Sequence, residues 1–376
     1  MTGLGSRRDF LGMSALGLAA AMAPQEAVGR AASLAGQGNE TPKVGAEISI
    51  WVTSGEERFA AAPPAIWGPA PETVGADQIR LDPSKKFQEI LGFGGAFTDA
   101  ACYMFNQLAP SARERLFHEM FHPSEMGLSV CRICVGSSDY ARKVYSFDEG
   151  APDPDLKRFS IEHDREYILP MLREARQANP ELFLFASPWS PPGWMKFNGS
   201  MLGGSMHRQF MPAYARYFLE FLKGYAAEGV PVQAVTPQNE VDTDQDGRMP
   251  ACIWAQEYEI EFVRDHLGPL LERSGAPAKI WILDHNYNLW GRAMDELEDD
   301  DLRKHCNAIA WHGYAGAPEM MSKVQGAFPG VEMYWTEGGP DYRDPGYLTD
   351  WWKWGATFRD PAQRVPLHHS LEPGSR

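Results

Sequence analysis

Two glutamates stand where chemistry is easiest to place. Glu240 closes VTPQNE (235–240), where the apolar pair Ala234-Val235 runs into polar residues that a strand end would push into a cleft. Glu337 closes the apolar-aromatic run VEMYWTE and is followed by two glycines. A carboxyl group beside an amide, as in Asn239-Glu240, can give a proton to a leaving oxygen while the amide grips a neighbouring hydroxyl. A second carboxylate at the end of another core strand supplies the partner that hydrolysis of a glycosidic bond requires. Either acid taken alone is explained as well by a strand cap or an ion pair with arginine.

Such a pair needs a scaffold that brings distant strand ends together. The apolar runs EILGFGGAF, LSVCRICV, LFLFASPW, QAVTPQNE, KIWILDHN, AIAWHGY and VEMYWTEGG alternate with stretches of helical periodicity such as SARERLFHEMF and FMPAYARYFLEFLKGYA. Strands apolar on both faces, alternating with amphipathic helices, predict a parallel α/β sheet. Nearly every strand ends in a polar or aromatic residue suited to a site: Asp99, Trp189, Glu240, Asp284, His312 and Glu337. Sites shared among many strand ends predict a (β/α)8 TIM barrel. An open nucleotide-binding sheet should start with a phosphate loop, and Gly92-Phe93-Gly94-Gly95 lacks that spacing. Those glycines read as a tight strand end.

Composition narrows the partners. A net charge of −15 over 376 residues argues against nucleic acid. Twelve Trp and thirteen Tyr suit sugar faces and cores alike. The five cysteines form no regular framework, and Cys131 and Cys134, three apart in a strand-like run, read as separate core thiols. No His/Asp group has metal-ligand spacing along the chain, so no metal and no cofactor is expected.

The ends of the chain have their own character. Residues 1–30 read as a twin-arginine signal, with Arg7-Arg8 before a modest apolar stretch and a candidate cleavage site at Ala21-Met22-Ala23. Export to the periplasm or beyond is therefore expected, without stable membrane insertion, because the stretch is too short to span. Residues 31–45 read as a linker. Within 46–83, 48–52 and 78–81 read as short strands with no nearby partner, separated by the Pro/Ala-rich 60–71. Residues 84–358 hold seven strand patterns and a last helical stretch at 347–358. The tail, 359–376, has neither an apolar run nor periodicity.

Taken together the strand ends resemble glycoside hydrolase family 30, the glucosylceramidase-like enzymes. The resemblance runs from about residue 47 to 358 and rests on LGFGGAFTDAA (91–101), ASPWSPPGWMK (186–196), VTPQNE, AWHGY (310–314) and WTEGG (335–339), in the family's order. It implies a retaining enzyme on a (β/α)8 barrel, with a side β-domain built from both chain ends. Glu240 would be the general acid/base, with a pKa raised by desolvation or by Glu337, and Glu337 the nucleophile. Arg132 would hold Glu337, although a plain structural ion pair fits it too. Asn239 would bond the sugar 2-hydroxyl, Asp99 hydroxyls further round the ring, and Trp189 would wall the sugar. His312 and Tyr314 would line the same pocket, with His285 and Asn286 nearby. The implied substrate is a β-glucoside, with glucosylceramide leading and a glucosylated oligosaccharide, cut by an endo-β-1,6-glucanase activity, as the alternative. The likeness stops near residue 358, before the family's eighth strand. This leaves a reading of another class: a truncated, inactive remnant that at most binds sugar weakly.

Overall fold

The computed structural model describes residues 43–54, 57–69, 75, 82 and 84–338. The signal, the 78–81 strand, the 347–358 helix and the 359–376 tail lie outside the described residues, as does any eighth strand after 338. Two compact units divide between Lys86 and Phe87.

In the first unit, β1 (Glu47–Ser54) pairs antiparallel with β2 (Glu57–Ile66). This corrects the expectation that the strand at 48–52 has no local partner and that 60–71 is only a separator. Prolines cannot donate to a ladder, so Pro63 and Pro64 argued against a strand. The register resolves the conflict. It runs from Ile48↔Ala65 to Ile50↔Ala62, so both prolines fall in a bulge where the ladder is interrupted.

The second unit carries a seven-stranded sheet in chain order: β3 (Ala96–Phe97), β4 (Val130–Cys134), β5 (Phe183–Ser187), β6 (Ala234–Val235), β7 (Lys279–Asn286), β8 (Cys306–His312) and β9 (Glu332–Glu337). Every pairing is parallel. Among the described residues, β3 and β9 are its edges. Helices fill the crossovers: α1 (Asp99–Asn106) and α2 (Pro110–Phe121), α3 (Glu162–Glu166) and α4 (Ile168–Ala178), α5 (Met211–Ala227), α6 (Gln256–Glu261) and α7 (Gly268–Ser274), α8 (Trp290–Leu297) and α9 (Glu319–Ala327). In α5 the buried residues Tyr214, Tyr217, Phe218, Phe221 and Tyr225 recur at three- and four-residue spacing, which makes one apolar face against the sheet. Gly94 lets β3 close on β4, because a side chain there would meet the Val130 carbonyl oxygen at 1.5 Å.

Alternation along the strands sorts side chains into two cores. Leu184, Ala186, Val235, Ile280, Ile282 and Ile309 join the large cluster under the helices. Phe185, Ala234, Trp281, Ala308 and Ala310 form a separate cluster with Val130, Phe183 and Tyr334. Trp281 is its centre, stacked on Phe183 (5.8 Å between centroids) and Tyr334 (4.1 Å). The concave side of the sheet is thus packed with aromatic side chains, as a barrel interior should be. All five cysteines are buried and free. Burial pushes the Cys131 thiol up to about 11 and that of Cys134 to about 12, in keeping with core thiols.

Candidate active site

One step further along each strand, the side chains that share the aromatic layer's face turn polar. Two residues beyond Val130, Phe185, Ala234, Ala310 and Tyr334 come Arg132, Ser187, Thr236, His312 and Thr336. All of them converge on Asp284, which is fully buried. Its Oδ2 accepts from Arg132 Nη2 at 2.6 Å and lies 2.7 Å from the Ser187 and Thr236 hydroxyls. Its Oδ1 accepts from Thr336 at 2.7 Å and faces His312 Nε2 at 3.0 Å. Burial pushes the Asp284 pKa up, but the Arg132 charge and the bonds from His312 and Thr336 outweigh it and hold the carboxyl well below the usual carboxylate range.

Irregular backbone aims the reactive groups. Successive strand residues normally point to opposite faces, yet Asp284 and His285 both reach the site. A register shift between Leu283 and His285, with φ of 74° at Leu283 and 44° at Asp284, turns both inward. A second shift, between Trp311 and His312 opposite β9, does the same for Thr336 and Glu337. Glu240 itself has φ 53°, and its N–H donates to the Asp284 carbonyl at 2.9 Å. Non-glycine residues held in this region cost about 1–3 kcal/mol each and cluster where a site depends on them.

Arg132 joins Glu337 to the rest. It donates to Glu337 through Nη1, to Asn239 Oδ1 at 2.6 Å through Nη2 and to Ser187 at 3.1 Å through Nε, besides Asp284. With its Oδ1 taken, Asn239 has its amide N–H groups left for a sugar hydroxyl. Glu240 receives a bond from Gln245 Nε2 at 2.6 Å. His312, wholly buried, places one ring nitrogen 3.5 Å from Glu240 and the other 3.9 Å from Glu337. Both glutamate side chains keep some solvent exposure, 13% for Glu240 and 26% for Glu337, so a ligand can reach them.

Protonation differs from the expectation in one respect. Burial does push Glu240 up, but His312, His285 and Gln245 outweigh it, and its pKa is lowered. His312 shows the converse. Burial pushes it down, yet the Glu337 charge, the bond to Asp284 and the nearby Glu240 carboxylate raise it to about 9. The proton of this pair therefore rests on the ring while the site is empty.

Two of the residues expected to touch sugar also have partners within the protein. Asp99 is buried and its oxygens are already engaged, by Tyr167 (2.5 Å), His163 (2.7 Å) and the Arg142 N–H (2.8 Å). Through the Arg142 N–H it anchors the loop after β4. That loop supplies the residue that sequence reading missed. Asp139 is exposed, and partial desolvation together with the Glu337 and Glu240 charges raises its pKa. Its place in the polar run just past a strand end, GSSDY, was the available signal. Trp189 is 5% exposed and the Arg132 guanidinium lies 4.6 Å over its ring, a cation–π contact that supports Arg132. Tyr314 is half-exposed, and burial and the charges of Glu337 and Glu240 raise its phenol. Asn286 holds its loop by accepting from the Tyr314 N–H at 2.9 Å.

Comparison with known proteins agrees with this fold. The chain is 32% identical over 285 residues to an endo-1,6-β-D-glucanase of Neurospora crassa, covering 73% of this chain and 58% of that protein. It is 32% identical over 273 residues to the lysosomal acid glucosylceramidase of Mus musculus, covering 69% and 53%. The chain thus spans little more than half the length of these curated relatives. Among solved structures, the endo-β1,6-glucanase BT3312 superposes with a TM-score of 0.68 at 28% identity, covering 73% of this chain and 62% of that one. Residues 90–355 match the TIM-barrel domain of glycosyl hydrolase family 30. With the parallel sheet, the paired glutamates at its strand ends and this match over most of its length, the chain belongs to glycoside hydrolase family 30.

Proposed function

We propose that the site hydrolyses a β-glucosidic bond by double displacement, with glucosylceramide or a similar glucosylated lipid as the leading substrate. The observation that carries this reading is the arrangement of Glu240 and Glu337 on the two ring nitrogens of His312, with Arg132 holding Glu337. In the first step a Glu337 oxygen attacks the anomeric carbon, the bond to the leaving oxygen breaks, and Glu240 passes to that oxygen the proton it shares with His312. In the second, Glu240 takes a proton from water, the water oxygen attacks the same carbon, and the bond to Glu337 breaks. In this reading Asn239 and Asp139 hold sugar hydroxyls beside this pair. A β-1,6-glucan is the second reading, favoured by the likeness to endo-1,6-glucanases in both sequence and structure. Assaying the chain on glucosylceramide vesicles and on a β-1,6-glucan separates the two. Turnover of the lipid alone supports the first reading, turnover of the glucan alone the second, and turnover of neither counts against both. Export through the twin-arginine segment belongs to the same reading. Among the described residues no helix is long and apolar enough to cross a membrane.

The shared proton gives a pH prediction. A group whose pKa is raised keeps its proton until the pH passes the raised value, so the His312–Glu240 pair holds one proton up to about pH 9. The basic limb of kcat/KM on a poor leaving group should lie there and belong to the pair. His312→Asn removes the ring that holds Glu240 down. The limb then belongs to Glu240 alone and should move to lower pH, and an unmoved limb would contradict this proton storage.

A further inference from the structure

His285, which the hydrolysis does not use, gives the same corner of the site a second feature. His285 and His312 stand at the ends of neighbouring strands, 6% and 0% exposed. Each ring is held through Nε2, His285 by Asp242 Oδ1 at 2.5 Å and His312 by Asp284 Oδ1 at 3.0 Å. Each turns its Nδ1 toward Glu240 Oε1, at 3.7 Å and 3.5 Å. These distances are too long for good hydrogen bonds, and both Nδ1 atoms are buried without a hydrogen-bond partner. Two imidazole nitrogens and a carboxylate thus point at one spot. Once the His312 ring has given up its proton all three are acceptors, and a cation can take the place of that positive charge.

A tetrahedral ion with bonds of about 2.0–2.1 Å sets its ligand atoms about 3.3 Å apart, near the gaps observed. The three ligand atoms lie within 4.8 Å of one another, and no other such group occurs among the described residues. A carboxylate behind each ring is the arrangement that orients metal-binding histidines and makes them more basic. Two imidazoles and a carboxylate suit Zn2+, and the partly exposed side of Glu240 leaves a fourth position for water. Spacing along the chain hid the group because its members come from three different strand ends.

We propose that Glu240, His285 and His312 bind Zn2+, and that the bound ion switches hydrolysis off by taking Glu240 out of proton transfer. The switch rests on Glu240 being the acid/base, whereas the binding site does not. Any proton on the rings leaves as the ion binds.

The experiment titrates the chelator-treated full chain with Co2+, read by the visible absorption of tetrahedral Co2+, then displaces it with Zn2+ while following β-glucoside turnover. One Co2+ per chain should bind, Zn2+ should displace it, and turnover should stop and return on adding chelator. Glu240→Gln, His285→Ala and the milder His285→Gln should each lose the Co2+ spectrum while keeping the wild-type far-UV circular dichroism. Asp242→Asn should weaken binding about 10–100-fold. Absence of the tetrahedral spectrum, or a spectrum that survives in both Glu240→Gln and His285→Gln, overturns the site. A ligand-dependent spectrum with turnover untouched by Zn2+ overturns the switch and the role of Glu240 together, leaving the metal site standing. No binding, with turnover still dependent on Glu240, overturns the metal proposal and leaves the catalytic reading intact.

Discussion

Glu240→Gln should cut turnover of an alkyl β-glucoside by about 10²–10⁴-fold, the usual worth of a positioned acid/base. The amide keeps the shape of the side chain and can still meet Gln245, so the fold should be little disturbed. An alkoxide is a poor leaving group and needs the proton. A dinitrophenolate does not, so on an aryl substrate the first step should survive and the glycosyl-enzyme accumulate. Azide attacks without a general base and should then restore turnover, giving the β-glucosyl azide. Wild-type turnover of the alkyl glucoside by Glu240→Gln would mean that another acid is at work. An α-azide would mean that Glu240 is instead the nucleophile.

The second large effect is on stability. Arg132 serves Asp284, Glu337, Asn239 and Ser187 at once, and only a planar guanidinium can reach four partners in different directions. Its removal leaves the Asp284 carboxylate, with no exposure, short of its principal countercharge. Arg132→Leu should therefore destabilise the chain by about 3–5 kcal/mol, the usual result of breaking a buried pair from one side. Arg132→Lys should recover only part of this. Denaturant unfolding followed by tryptophan fluorescence would test it, and a midpoint unchanged in Arg132→Leu would show the network to be dispensable. Because Asp284 is depressed, its contribution is present above about pH 4 and lost as the pH falls further. The loss on Arg132→Leu should shrink accordingly in acid.

The barrel strands were legible because they are apolar on both faces and separated by helical periodicity, so seven runs in the sequence became seven strands in order. Glu240 and Glu337 were legible because each closes such a run. What the sequence hid follows from geometry of other kinds. A period of two cannot place both Asp284 and His285 in one cleft, and only the bulge and the positive φ values do so. Asp99 and Asp139 are both acids near strand ends, and nothing in their residue types says which is bonded by Tyr167 and His163 and which feels the charges of the glutamates. Pro63 and Pro64 masked a hairpin because their missing N–H groups fall where the ladder is already broken. The Glu240 protonation was misjudged because desolvation is visible in an apolar context, whereas the opposing His312 and His285 come from other strands.

We propose Glu337 as the nucleophile and Glu240 as its acid/base partner. Incubating the chain with a 2-deoxy-2-fluoro β-glucoside carrying a good leaving group tests it most directly. The fluorine slows both steps, and the leaving group restores the first, so the glycosyl-enzyme is trapped. Peptide mass mapping should find one fluoroglucosyl unit per chain, esterified to Glu337. A label on Glu240, or turnover of ordinary β-glucosides with no label on any carboxylate, would contradict the account.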